Sequence, residues 1–120
     1  MAEASYATLR DSVDNHFQHN DILSCFLVLV IPIAEWELGL KIDDISPVRE
    51  IQKLEVPVYL IGGSADVVAP ASGIQRLYTA ASCEKNLWLV KGVGHGDFFF
   101  CAPLEYQKRI GEFLRKYLPE

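Results

Sequence analysis

An aspartate and a histidine each follow a short apolar run of this sequence, and glycines stand next to both. Asp66 closes the stretch VPVYLIGGSAD, and His95 lies between Gly94 and Gly96 in VGHGD. A carboxylate that accepts a hydrogen bond from one imidazole nitrogen fixes the tautomer of the ring, so the other nitrogen can take a proton from a nucleophile. These residue types predict a pair in which Asp66 orients His95 and His95 acts as a general base.

Parallel strands would bring the two residues together. The apolar run VYLIGG (58–63) is typical of a buried strand, and NLWLVKG (86–92) predicts a second one. A helix predicted over residues 70–81 separates them, and this order indicates a parallel α/β unit. Because functional residues of open parallel sheets lie past the carboxyl ends of the strands, we expect Asp66 and His95 at one rim. Asp97, two residues from the histidine, is a less favourable acid.

The rest of the chain is predicted to be helical, as one domain with a cap-like N-terminal segment (1–44) and a strand–helix unit (45–120). Four helices are expected, of which the first is amphipathic and covers Tyr6–His19, and the second is apolar and extends from a cap at Asn20–Asp21 to about Leu38, with a kink or restart near Pro32. The third is short and begins at Pro47 with Ser46 as its cap. The fourth covers Pro103–Leu118, and its side chains expected to face inward are Leu104, Ile110, Phe113, Leu114 and Tyr117.

Composition excludes several classes of protein. The chain has 120 residues, half of them apolar and 22% charged, which is typical of one globular domain. A net charge of −5 without a dense basic cluster argues against binding to nucleic acid. The three cysteines, an odd number without CxxC spacing, are typical of reduced thiols and predict a cytoplasmic location.

Neither a metal site nor a membrane span is predicted, and no cofactor is expected. His16 and His19 form an HxxH pair that no acidic or cysteine partner completes. The apolar run ILSCFLVLVIPIA has 13 residues and contains Pro32. A spanning helix needs about 20 residues, so this run is better interpreted as a packing helix.

Four stretches resemble the C-terminal part of serine hydrolases of the α/β-hydrolase fold, closest to the esterase and serine-peptidase-like group. They are DISPVREIQKLEVPVYLIGGSADVVAP, RLYTAA, LWLVKGVGHGDFF and YQKRIGEFLRKYL. The resemblance is strong over residues 45–118 and looser over residues 1–44, where the apolar helix is similar to a cap or lid. It implies a partial α/β-hydrolase fold with a short parallel sheet of two main strands and flanking helices. It also implies that Asp66 is the acid and His95 the histidine of a catalytic triad.

The nucleophile of that family is missing from these residues. Its serine stands in a G-x-S-x-G elbow upstream of the acid, and the sequence contains no such motif. In GGSAD, Asp66 stands where the last glycine would be, and Ser64 lies beside the acid and not opposite His95. Cys101 in FFFCAP is expected to be a buried thiol. Ser24, Ser72 and Ser82 also have no elbow context.

Three functional interpretations follow. The first is a truncated or remnant serine hydrolase, inactive alone, that would act on a small ester or amide only if complemented. The second is a stand-alone protein that reuses the fold for binding or assembly, and the third is one half of a two-chain hydrolase. Because the family's preceding strand is absent, the edge of strand 58–63 would be bare and open to pairing. We therefore expect a homo-oligomer, most simply a dimer, through this edge or the apolar helix 22–38.

Overall fold

A three-stranded parallel sheet lies at the centre of the computed structural model, which describes residues 1–17 and 21–118. In chain order the strands are β1 (Ala2–Glu3), β2 (Val58–Gly63) and β3 (Lys85–Val90), and β2 lies between the other two. The helices are α1 (Leu9–Phe17), α2 (Asp21–Leu38), α3 (Pro47–Glu50), α4 (Ala71–Ala80), α5 (Phe98–Cys101) and α6 (Pro103–Tyr117). Single 3₁₀ turns span Ile42–Asp44 and Ile51–Lys53.

All six residues of β2 are buried, because helices cover both faces of the sheet. On one face Leu60 packs in a cluster with Ile74 and Leu77 of α4. On the other face Tyr59 and Ile61 pack with Phe98, Tyr106, Ile110 and Phe113. A parallel strand covered on both sides reads as a continuous apolar run, so the prediction of a buried strand over residues 58–63 is confirmed.

The carboxyl ends of the two long strands are level with each other. β2 and β3 pair in parallel from Val58 with Lys85 to Gly63 with Val90. The chain therefore leaves both strands at the same rim of the sheet, and the loops after Gly63 and Val90 start side by side. This alignment is the feature of the fold that positions the candidate site.

A short strand covers part of the β2 edge that the sequence predicts to be bare. Ala2 and Glu3 pair in parallel with Leu60 and Ile61, and the Ala4 N–H donates to the Ile61 carbonyl at 2.9 Å. The expectation of a bare edge is therefore wrong over these two residues. A two-residue strand carries no alternation of apolar and polar residues, so the sequence has no pattern from which to predict it.

The N-terminal helices are close to the predictions, with a shift at the start of the first. Helix α1 begins at Leu9 and not at Tyr6, because Thr8 Oγ1 accepts the Asp11 N–H at 3.0 Å as a cap. The predicted end of this helix at His19, and Asn20 of the predicted cap, lie outside the described residues. Helix α2 ends at Leu38, as expected from the apolar run. It is one helix through Pro32, so the alternative of a restart at this residue is wrong.

Several predicted burial states near the C-terminus are wrong. Cys101 is exposed, because the short helix α5 turns Phe98 inward and leaves the three residues after it towards solvent. Leu104 and Leu114, predicted to face inward, are exposed as well. The inner face of α6 consists of Tyr106, Ile110 and Phe113, which follow each other at helical spacing.

Among the residues that the structure describes, no helix has the length and apolarity needed to cross a membrane. Over the same residues, no three side chains of the metal-binding types come together. The division of the domain at residues 44 and 45 and the cytoplasmic location both stay predictions.

Candidate active site

The loops that follow β2 and β3 are hydrogen-bonded to each other. The Ser64 N–H donates to the Val90 carbonyl at 2.9 Å, and the Ala65 N–H donates to the Val93 carbonyl at 3.0 Å. The Ser64 hydroxyl accepts the Gly92 N–H at 2.8 Å. Ser64 therefore braces the two loops from beside the acid.

The backbone of the histidine loop lies directly against Gly63. A Cβ built on this residue would lie 2.5 Å from the Gly94 carbonyl oxygen and closer still to that of Val93. No side chain larger than hydrogen fits between the two loops, so glycine is required here by close approach of the backbone. After His95 the chain turns through the left-handed region, with φ of 81° at Gly96 and 61° at Asp97.

Asp66 and His95 meet at the rim of the sheet. His95 Nδ1 and Asp66 Oδ2 are 3.0 Å apart, and the Asp66 side chain is fully buried while 41% of the His95 side chain is exposed. The other carboxylate oxygen, Asp66 Oδ1, accepts the Val68 N–H at 2.9 Å and the Ala69 N–H at 2.7 Å. Both oxygens are thus hydrogen-bonded, which offsets the cost of burying the carboxylate.

This geometry sets the state of the imidazole. A carboxylate can only accept hydrogen bonds, so Nδ1 of His95 must carry the proton that lies between them. The lone pair of a neutral ring is then on Nε2. Because 41% of the side chain is exposed, the ring can be reached by a group outside the described residues. The arrangement can therefore accept a proton at Nε2 and stabilise the resulting charge through Asp66.

Asp97, the rival acid, lies elsewhere. It is exposed and has a left-handed backbone conformation at the position just before α5. Within the described ranges, its carboxylate makes no hydrogen bond to His95. The structure brings Asp66 and His95 together and leaves Asp97 outside the pair.

None of the other nucleophile candidates that the structure describes is hydrogen-bonded to His95. Ser72 and Ser82 are exposed, and Cys101 points to solvent from α5. The side chain of Ser24 lies outside the described residues.

Tyr6 is a neighbour of the pair that sequence reasoning missed. Its ring centroid is 6.3 Å from that of His95, with 34° between the ring planes. Tyr6 also lines a cavity of about 220 Å³ with Asp11 and Arg76, whose side chains form an ion pair at 2.8 Å. The only signal that could have identified Tyr6 is its position just after β1, and that strand is too short to predict.

Comparison with known proteins gives relatives in sequence and solved structures of the same fold. No family model matches the sequence. The uncharacterized protein YqkD of Bacillus subtilis is 30% identical over 89 residues, which cover 71% of this chain and 29% of the relative. The chain thus spans less than a third of the length of this curated relative.

Solved structures of hydrolases superpose on nearly the whole chain. The Pyrococcus furiosus esterase Pf2001 covers 98% of it with a TM-score of 0.70 and 21% identity, and the match spans 43% of the esterase. The Pyrococcus horikoshii acylaminoacyl peptidase covers 99% of it with a TM-score of 0.66 and 16% identity, over 20% of the peptidase. The chain has a partial α/β-hydrolase fold. The predicted fold class is confirmed, with β1 added to the two main strands.

Proposed function

We propose that this chain carries the acid and the base of a serine acyl hydrolase, with Asp66 orienting His95 and His95 transferring protons. The observation that carries the proposal is the 3.0 Å contact between His95 Nδ1 and the buried Asp66 carboxylate, at the carboxyl ends of adjacent parallel strands. The esterase and peptidase neighbours support a hydrolase-like fold.

The chemistry follows from the free nitrogen of the ring. His95 Nε2 would take the proton of a serine hydroxyl as its oxygen attacks the carbonyl of an ester or amide. The protonated ring would then give this proton to the leaving alkoxide or amine, which departs as an acyl-enzyme forms. Water would then attack the acyl group while His95 Nε2 takes a proton from the water. The protonated ring would give this proton to the departing serine oxygen, which releases the acid and restores the serine.

The serine must come from outside these 120 residues. The sequence has no G-x-S-x-G elbow, and the chain covers only 29% of the relative YqkD and 43% of the Pf2001 esterase. We propose that polypeptide carrying the elbow, either continuous with this chain or separate from it, completes the site. The 120 residues by themselves would then be inactive.

Reconstitution tests this proposal. The chain is co-expressed with the part of YqkD that lies outside the matched region, and hydrolysis of p-nitrophenyl esters is measured for each part and for the complex. We expect turnover only from the complex, with loss of about 10⁶-fold in kcat on His95→Ala, as for the base of a well-studied serine protease. Turnover by the isolated 120 residues that disappears on His95→Ala would contradict the proposal, because the chain would then contain its own nucleophile.

A second candidate is a stand-alone binding or assembly protein that uses the same fold as a homo-oligomer. Exposed apolar side chains on and just after helix α2 favour it: Val30, Ile33, Trp36, Leu38 and Leu40, with Trp36 85% exposed. Surfaces of this kind are typical of contacts with other protein chains. A dimer through this helix or through the free edge of β1 would cover apolar area or unpaired backbone groups.

A further inference from the structure

We propose that Tyr6 is a positioning residue that keeps the imidazole of His95 in place against Asp66. The inference rests on the proposed function, since it concerns the group assigned there as the base. Tyr6 follows β1, just as Asp66 follows β2 and His95 follows β3, so one residue from each of the three strand ends meets at the same rim.

His95 needs a second contact because its own loop offers little support. The hydrogen bond to Asp66 fixes only Nδ1, and 41% of the side chain is exposed. The flanking residues Gly94 and Gly96 have no side chains, and a Cβ added to either would meet nothing within 4 Å. One hydrogen bond restrains a single atom of the ring, so a contact with the face of the imidazole would restrain it further.

The Tyr6 ring supplies such a contact. A centroid distance of 6.3 Å with a 34° tilt lies within the range of roughly 4.5–7 Å in which aromatic pairs attract. Over the part of the chain that the structure describes, this is the aromatic ring paired with His95. Tyr6 therefore limits the movement of the imidazole away from the carboxylate.

The backbone around Tyr6 is held on three sides. The Ala4 N–H donates to the Ile61 carbonyl of β2, and the Ala7 carbonyl accepts the Val48 N–H of α3 at 3.0 Å. Gly73 of α4 lies close enough that an added Cβ would be 3.6 Å from the Ala7 nitrogen.

Ala4 has a φ of 46°, in the left-handed region that alanine seldom adopts. Such strain persists only where surrounding contacts impose it, and it is found preferentially at functional sites. Here the strained residue turns the chain at the end of β1, two residues before Tyr6, so that the ring is presented on a fixed backbone.

The test is nuclear magnetic resonance of the 120-residue chain with ¹⁵N-labelled histidine, in which His95→Gln assigns the His95 signals. In the wild-type chain we expect the Nδ1–H tautomer of His95 and a nuclear Overhauser effect between the two rings. Tyr6→Leu is expected to lower the ratio of the Nδ1–H to the Nε2–H tautomer about 2- to 10-fold, the equivalent of one aromatic pair. Tyr6→Phe, which retains the ring, should restore the wild-type ratio.

Asp66→Asn separates failure of this inference from failure of the proposed function. If Asp66→Asn changes the His95 tautomer and Tyr6→Leu does not, the role of Tyr6 is refuted and the acid–base pair stands. If neither substitution changes it, the pair itself is refuted and the inference falls with it. Absence of the ring-to-ring effect in the wild-type chain overturns the inference even if Tyr6→Leu fails to fold.

Discussion

At the scale of single residues, the candidate site depends on one buried carboxylate with two tasks. Asp66 Oδ1 accepts two backbone N–H groups of its own loop, and Asp66 Oδ2 binds His95. The first task fixes the loop, and the second fixes the imidazole. An asparagine at this position retains the acceptor oxygen for the backbone, so it can remove the second task while leaving the first intact.

Gly63 gives a residue-scale prediction about loop packing. Gly63→Ala should lower the free energy of unfolding by about 1–3 kcal/mol, because the new methyl group would overlap backbone oxygens of the histidine loop. Gly94→Ala is the matched control, since a Cβ there meets nothing within 4 Å. Denaturant unfolding of both variants measures the difference. Equal stability of the two variants would mean that the loops do not approach as closely as described.

Residue types and spacing were sufficient to predict that Asp66 and His95 lie together, because both follow recognisable strands. They were not sufficient for Tyr6 or for the Ser64 brace, which depend on contacts between loops far apart in sequence. The exposure of Cys101 was missed for a related reason: an apolar run does not reveal which of its residues a single helical turn directs inward.

At the scale of elements, helix α6 holds strand β1 on the sheet. The Tyr106 hydroxyl donates a hydrogen bond to Glu3 Oε1. The pKa of Tyr106 is raised to about 12, mainly by this hydrogen bond and to a smaller extent by burial of the hydroxyl. Since β1 leads to Tyr6, this contact also supports the position of the Tyr6 ring.

A pH dependence follows from the Tyr106 contact. A tyrosine in the unfolded chain ionises near pH 10, whereas Tyr106 in the fold keeps its proton to about pH 12. Its contribution to stability is therefore complete below pH 10 and is lost as the pH rises to 12. The Tm difference between the wild-type chain and Tyr106→Phe should shrink over this interval. A constant difference would contradict the assigned hydrogen bond.

The long strands and helices could be predicted because their apolar runs are continuous or have helical spacing. Strand β2 has the predicted bounds, and α4 lies within the predicted range of residues 70–81. The start of α1 could not be located from periodicity alone, since capping by Thr8 and the bond from Val48 to Ala7 decide it.

At the scale of the whole molecule, the structure is extended for its length. Its radius of gyration is 16.5 Å, compared with about 14 Å expected for a compact domain of 120 residues. Apolar side chains at and after the end of α2 remain exposed, including Trp36 and Leu38. A fold in this state has surface available for contact with another polypeptide, either a second copy or the polypeptide that we propose to carry the serine.

Sedimentation velocity tests the self-association that this surface predicts. We expect the wild-type chain to be dimeric at micromolar concentration and Trp36→Ser to shift it towards monomer. Among the α2 side chains that the structure describes, Trp36 is the most exposed large apolar one, and the substitution removes it. Glu37→Gln, at the adjacent exposed position, should leave the dimer unchanged. A monodisperse wild-type monomer would refute the predicted oligomer, and a dimer insensitive to Trp36→Ser would exclude the helix as its contact.

The central claim is that Asp66, and not Asp97, orients the base of an acyl hydrolase. The most direct measurement is kcat for ester hydrolysis by the reconstituted complex carrying either Asp66→Asn or Asp97→Asn. In the Asp66→Asn variant the new side-chain amide would present an N–H to His95 Nδ1 and impose the wrong tautomer, so we expect a loss of about 10⁴-fold. Asp97→Asn should change kcat less than about threefold, since its carboxylate makes no hydrogen bond to His95 within the described residues. Equal losses in the two variants, or a larger loss with Asp97→Asn, would contradict the claim.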